Sequence, residues 1–213
     1  MKGVVFTELL SMIEEKFDYE TMSKVIKGAD LPHKGIYISG GTYPHKELMS
    51  LLTSLHKISG VPISDLLRNY GRHLFKALSK EHPQFVQASK NPVDCINTVE
   101  SYIHVEVRKL YPETELPFFD VLEKTDDRIV LDYKSERKME DFAHGMMLGC
   151  SDHYNMPIHV KYEPVPNQKQ HTVRFEVRLM TPEEIAKNRE QEQHAKNESI
   201  GWIGFIKRLF GTK

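Results

Sequence analysis

Cysteine is scarce in this chain, and its scarcity excludes several kinds of protein. Only two cysteines, Cys95 and Cys150, occur among 213 residues. Two are too few for a disulfide framework or a cysteine-rich zinc site, and they fit a reducing compartment. The eleven histidines are scattered, with neither a His-Glu-x-x-His motif nor a paired Cys-x-x-Cys motif nearby. We therefore expect no dedicated zinc site.

Long apolar runs and a strong charge of one sign are also missing. No apolar run approaches the roughly 18 residues that a membrane-spanning helix needs. The opening Met-Lys-Gly-Val-Val-Phe is too short an apolar stretch for a signal peptide, so we expect a cytoplasmic protein. The net charge of -1 gives no argument for nucleic acid as a partner. No acid–base pair or nucleophile constellation is visible, so we expect no enzyme.

The spacing of the apolar residues changes about halfway along the chain. Up to about Leu110 they recur at helical spacing, and from Phe118 onward they alternate, with one helical segment in between. Helices followed by the order ββαββ predict an α+β fold, with the helices on one side of a sheet. The predicted later elements are Phe118–Glu123, Ile129–Tyr133, Arg137–Cys150, Ile158–Tyr162 and Val173–Val177.

The chain after residue 180 has a different composition, so we expect a domain over residues 1–180 and an extension over 181–213. Thr181-Pro182-Glu183-Glu184 is a capping box that predicts the start of a helix, followed by a very polar stretch. The segment Ile200–Phe210 is apolar with a basic end and too short to span a bilayer. It could lie in the membrane interface, dock into a groove of a partner, or fold back as core.

His104 is the first candidate for a ligand-binding residue. The apolar spacing predicts one helix over about Val93–Leu110 and sets His104 beside its buried stripe. An imidazole on an apolar helix can hold a haem iron from one side. The alternative is an ordinary helical pair, because Glu100 lies four residues earlier.

The second candidate is the motif Tyr133-Lys134-Ser135-Glu136-Arg137. Alternate residues of an extended segment point to the same face, so Tyr133, Ser135 and Arg137 would point together. Two hydroxyls and a guanidinium suit a pair of carboxylates, such as the two propionates of haem. The alternative is the polar face of a half-exposed strand.

In combination these motifs resemble the haem–nitric oxide/oxygen binding (H-NOX) family, which is related to the haem domain of soluble guanylate cyclase. The resemblance runs over about residues 1–180 and implies the H-NOX fold, with haem b between an N-terminal helical part and a part made of helix and sheet. The motifs that carry it are Met1-Lys2-Gly3, Gly71-Arg72, Ile103 to Pro112 around the histidine, Leu116-Pro117, Tyr133 to Met139, and Gly145 to Gly149.

The resemblance also implies roles for individual residues. His104 would be the proximal iron ligand, and Tyr133, Ser135 and Arg137 would bind the propionates. Pro117 matches a proline that presses on the porphyrin and distorts it in relatives, and a ring with fixed φ is a suitable rigid wedge. Some bacterial relatives have cysteines near the C-terminus that bind zinc. Residues 158–180 contain no cysteine here, so we carry over no zinc site.

The distal side of the haem decides which gas is bound. Oxygen-binding members place a tyrosine donor there, and the matching position here is Phe142. An apolar pocket gives bound dioxygen no donor, whereas nitric oxide binds ferrous haem strongly without one. The polar side chains Tyr70, His73, Tyr102 and His144 could still point inward. The predicted distal wall consists of Val5, Leu9, Leu74, Leu78, Phe142 and Met146.

The expected function is therefore a nitric oxide sensor, with carbon monoxide as a further ligand. By resemblance, its output would pass to a separate signalling protein, such as a histidine kinase or a cyclic di-GMP enzyme. One alternative is an oxygen or redox sensor that also uses haem. Another is a haem-free module that binds a protein or a membrane through its C-terminal segment.

Overall fold

The protein is described here from a computed structural model, which covers residues 1–112 and 114–190. The chain divides into two compact units, Met1–Leu179 and Met180–Lys213. In the second unit, residues 182–190 are helical. The predicted capping box is present, because Thr181 N donates to Glu184 Oε2 at 2.9 Å and Glu184 N donates to Thr181 Oγ1 at 3.3 Å. The segment Ile200–Phe210 lies outside the described residues, so its three alternatives stay predictions.

The first half of the main unit is a helical cluster. Its core consists of leucines and aromatic residues that are almost completely buried, such as Phe6, Leu52 and Tyr70. Local signals set the helix ends: Asp18 accepts from Thr21 N at 2.6 Å, and Gly60 adopts a left-handed φ of 74°. The four helices are α1 (Gly3–Lys16), α2 (Tyr19–Gly28), α3 (His45–Ser59) and α4 (Ile63–Glu81).

The predicted helix over about residues 93–110 is present, but the structure divides it with a turn at Thr98 and a π-helical segment. Thr98 provides the physical reason: its hydroxyl donates to Cys95 O at 2.8 Å and competes with the regular helix ladder. Ile103 N then bonds to Thr98 O at 3.1 Å, five residues back, which is π-helical spacing. The segments are α5 (Gln84–Gln87), α6 (Pro92–Asn97), a π-helical turn (Val99–Ile103) and α7 (His104–Leu110).

An antiparallel sheet with a helix across it forms the second half, so the α+β prediction is confirmed. The strand order is β1-β2-β4-β3, and every neighbouring pair is antiparallel. Ile129, Leu131 and Tyr133 of one central strand and Val173 and Phe175 of the other are buried. The elements are β1 (Phe118–Lys124), β2 (Arg128–Lys134), α8 (Glu140–Tyr154), β3 (Ile158–Pro164) and β4 (Thr172–Leu179).

Helix α8 joins the two halves of this unit by packing closely on α4. A Cβ atom added at Gly71 would lie 2.3 Å from Phe142 O, and one at Gly145 would lie 2.1 Å from Arg68 O. The two helix backbones therefore approach within a distance that no side chain at these positions would permit. No helix in the described part of the chain is long and apolar enough to cross a membrane.

We predict that Gly145→Ala destabilises the protein by separating α4 from α8. Overpacking of this kind costs about 1–3 kcal/mol, more than the roughly 1 kcal/mol that alanine gains over glycine in a helix. The free energy of unfolding, measured by urea denaturation, should fall by up to about 2 kcal/mol once the helix gain is subtracted. Gly40→Ala is the matched control, because a Cβ there meets nothing within 4 Å. Equal effects of the two substitutions would contradict the close contact.

Candidate functional site

A cavity of about 290 Å³ lies within the main unit, between the helical cluster and the sheet. Its lining comes from all the helices of this unit except α2 and α3, from the π-helical turn, and from β1 and β2, together with the chain start and the loops after α4, α7 and β2. Most of the lining atoms are apolar, and a few polar groups converge on it. A largely apolar cavity with few polar groups is typical of a binding site for a small molecule or cofactor.

His104 lies on the wall of this cavity at the first position of α7, directly after the π-helical turn. It is 8% exposed, and its Nδ1 lies 2.6 Å from Glu100 Oε1. A carboxylate can only accept, so Nδ1 carries the proton and Nε2 is left with a free lone pair. Burial lowers the pKa of His104, and the Glu100 carboxylate opposes that shift. Thus the helical pair with Glu100 is present, and it leaves Nε2 available to a metal.

Tyr133, Ser135 and Arg137 all line the cavity at its polar end. Tyr133 and Ser135 are buried, and the side chain of Arg137 is 17% exposed. Burial raises the pKa of Tyr133, against the opposing hydrogen bond with Ser135, so its phenol is a donor at neutral pH. The guanidinium of Arg137 donates to Glu115 O at 3.0 Å and to Glu115 Oε2 at 2.8 Å.

These residues fit the haem that the family resemblance implies. Thr114 Oγ1 provides a specific observation: it lines the cavity, is buried, and has no hydrogen-bond partner among the described residues. A buried hydroxyl of that kind needs a partner, and it lies next in the chain to Glu115, the partner of Arg137. The cavity thus combines a neutral imidazole nitrogen, apolar walls for a porphyrin, and donors at one end for propionates. Pro117 also lines it, on the loop between α7 and β1.

Five of the six predicted distal residues line the cavity, and one does not. Leu9 is fully buried in the core of the helical cluster, among the side chains of α1, α3 and α4. It therefore lies in the core against which Val5, Phe142 and Met146 pack, and it is not among the described residues that line the cavity. The residues that line the cavity are Val5, Leu74, Leu78, Phe142 and Met146.

None of the four polar side chains considered for the distal wall is among the described residues that line the cavity. Tyr70 is fully buried and donates its hydroxyl to the backbone oxygen of Val5, so the donor is already used. His73 Nε2 lies 3.2 Å from Glu8 Oε2, on the other side of α4. The rings of Tyr102 and His144 lie against those of Phe85 and Tyr162, at centroid distances of 6.5 and 5.6 Å.

Several lining residues were not predicted from the sequence. His82 is a polar one, at the end of α4, with its ring 5.2 Å from that of Phe85. Phe119 lines the cavity with its ring 5.8 Å from that of His104, and the sequence does not single it out because the neighbouring Phe118 is also aromatic. Cys95 and Cys150 are buried together on the wall, and no spacing signal in the sequence indicates that they meet.

Comparison with known proteins agrees with this geometry. A family model described as Haem-NO-binding matches residues 2–162. The chain is similar to the unliganded Fe(II) H-NOX protein from K. algicida, with 36% identity, a TM-score of 0.79, and coverage of 85% of this chain and 97% of that one. It is also similar to the IWP-051-bound H-NOX from Shewanella woodyi in the Fe(II)CO state, with 36% identity, a TM-score of 0.72, and coverage of 85% and 95%.

An H-NOX protein from S. oneidensis in the Fe(II)NO state has the same fold, with 23% identity, a TM-score of 0.77, and coverage of 85% and 100%. A comparison with curated protein sequences gives no match. The fold and the cavity are those of a haem-based gas-sensor domain. The chain belongs to the Haem-NO-binding, or H-NOX, family.

Proposed function

We propose that this chain is a nitric oxide sensor that binds haem b through His104 and discriminates against oxygen. The observation that carries the proposal is the apolar cavity, which has the His104 imidazole on its wall and Arg137 at its polar end. Bound dioxygen gains from a hydrogen-bond donor, whereas nitric oxide binds ferrous haem strongly without one. The predicted distal side chains that line the cavity, including Phe142, offer no donor.

Each group of residues has a defined task in this proposal. His104 donates the Nε2 lone pair to the iron, because Nδ1 is engaged by Glu100. Arg137 holds a propionate by a charge-assisted bond, with Ser135 and Tyr133 as hydroxyl donors. The apolar walls would exclude water, and Pro117 would be the rigid group against the porphyrin. When bound, haem supplies the ferrous iron at which a diatomic gas binds.

Signalling requires an element with two positions, and α7 is the candidate. His104 is its first residue, so α7 is tethered to the cavity while the imidazole holds the metal and is free to shift when it does not. We propose that the shift is read by a separate protein, such as a histidine kinase or a cyclic di-GMP enzyme. Residues 1–180 would be the sensor domain and 181–213 an extension from it. Carbon monoxide is a further candidate ligand.

His82 favours a second candidate function. It is a polar side chain that lines the cavity, and a donor near bound dioxygen would turn the same domain into an oxygen sensor. The two functions differ in one observable, which is the stability of the reduced protein's spectrum in air. A haem-free interaction module is the remaining alternative, and it predicts no Soret band after haem is supplied.

We predict that the Soret band of the reduced, haem-loaded protein is unchanged by air and moves to shorter wavelength with nitric oxide. The physical reason is the lack of a donor on the predicted distal wall. The measurement is an absorption spectrum in nitrogen, in air and with nitric oxide. A stable shift in air that disappears in His82→Leu would replace the nitric oxide proposal with the oxygen sensor.

We predict that His104→Gly loses haem and that added imidazole restores binding, because imidazole can occupy the space that the side chain leaves. The ratio of Soret to protein absorbance after gel filtration measures the loss. His159→Ala on β3 is the control and should retain haem, since His159 is not among the described residues that line the cavity. Normal haem retention by His104→Gly without imidazole would refute the ligand assignment.

We predict that Phe142→Tyr strengthens oxygen binding. A hydrogen bond to a charged group contributes about 1.5–3 kcal/mol, or roughly a 10- to 100-fold gain in affinity. Phe142→Leu is the control, because it changes the shape of the wall without adding a donor. The affinity is measured by oxygen titration of the reduced protein. An equal gain in both variants would mean that space, not a donor, limits oxygen binding.

A further inference from the structure

Glu100 makes three contacts at the junction between the π-helical turn and the sheet. Its Oε1 lies 2.6 Å from His104 Nδ1 and accepts a second bond, at 3.2 Å, from Phe119 N. Its Oε2 lies 3.9 Å from an amino group of Arg108. The side chain is 20% exposed, so water competes little for the carboxylate. One carboxylate oxygen thus holds both the imidazole ring and the start of β1.

The bond to His104 has chemical consequences for the ring. An ionised carboxylate has no proton to give, so the proton of the neutral imidazole must be on Nδ1. That tautomer leaves Nε2 as the metal-binding nitrogen. An anionic acceptor on Nδ1 also raises the electron density of the ring and strengthens Nε2 as a donor to a metal.

The bond to Phe119 N adds a mechanical consequence. Pro117 lies two residues before Phe119 on the loop that enters β1, and both line the cavity. Because Glu100 Oε1 contacts Phe119 N and the His104 ring together, it sets the spacing between the imidazole and the strand that follows the proline. A shift of His104 would therefore move Glu100 Oε1 and, through its bond to Phe119 N, the start of β1.

We propose that Glu100 is the positioning residue of His104, which selects the Nδ1–H tautomer, strengthens Nε2 as a donor and ties the imidazole to β1. The part that concerns the metal rests on the proposed role of His104 as the iron ligand. The part that concerns the tautomer does not, because it is a property of the haem-free chain. The opposing view is that Glu100 forms an ordinary helical pair with His104, and that loss of this pair changes only the stability of the protein.

The first test uses the haem-free wild-type protein, so it does not depend on haem binding. The ¹⁵N chemical shifts of the His104 ring, recorded while the ring is neutral, report which nitrogen carries the proton. The signals are assigned by their absence in His104→Gly. We expect a protonated Nδ1 and an unprotonated Nε2. The opposite tautomer in the wild-type protein would overturn the proposal.

The second test uses the haem-loaded, reduced protein. Glu100→Gln keeps the size and an acceptor oxygen but removes the charge, and Glu100→Ala removes the contact. Loss of a group that orients a metal ligand typically costs 10- to 100-fold in metal affinity, so we expect haem dissociation to accelerate about 10- to 100-fold in Glu100→Ala and less in Glu100→Gln. The iron–histidine stretching frequency, measured by resonance Raman, should fall in the same order.

Glu106→Gln is the matched control, because Glu106 lies on α7 and bonds Lys109 at 2.6 Å, away from the ring. It should leave the stretching frequency unchanged. If both Glu100 variants keep the wild-type frequency and dissociation rate and lose only free energy of unfolding, Glu100 is structural and the proposal is wrong. If His104→Gly retains haem normally, the ligand assignment fails instead, and the tautomer measurement still judges Glu100.

Discussion

The close contact between α4 and α8 is the constraint on which the rest of the structure depends. Gly145 and Gly71 remove the side chains that would otherwise keep the two backbones apart. Phe142 and Met146, which line the cavity, lie on α8 within a turn of Gly145, so the same contact sets where the distal wall stands relative to Leu74 on α4. The backbone contact between α4 and α8 therefore sets the positions from which Leu74, Phe142 and Met146 reach the cavity.

On the opposite wall, the position of His104 depends on hydrogen bonds instead of close packing. His104 follows a π-helical turn. This geometry is rare in proteins as a whole but is often found at functional sites. Glu100 belongs to that turn and bonds both the imidazole and Phe119 N. The helical pair and the ligand role, which the sequence left as alternatives for His104, are compatible, because a carboxylate on Nδ1 leaves Nε2 to the metal.

Periodicity predicted the elements of this fold well and their interruptions poorly. The change from helical to alternating spacing near Phe118 gave the order ββαββ correctly, because buried residues recur along the two central strands, β2 and β4. The break at Thr98 was missed, since a side-chain hydroxyl that competes for a backbone oxygen leaves the apolar spacing unchanged. Leu9 was assigned to the distal wall by matching positions of the family, and such a match does not tell whether a buried side chain reaches the cavity or the core behind it. His82 was missed because it lies beyond the end of the apolar pattern of α4.

The ion pair between Arg137 and Glu115 has a consequence for how an anionic ligand enters. Arg137 is mostly buried, while the side chain of Glu115 is 88% exposed. The Glu115 carboxylate thus occupies the place of an anionic ligand, and it orients and neutralises the Arg137 guanidinium. An incoming carboxylate must displace it, and the displaced group returns to water at little cost because it is already solvated. A ligand with an apolar body would gain contacts with the cavity walls in this exchange, and a small anion would not.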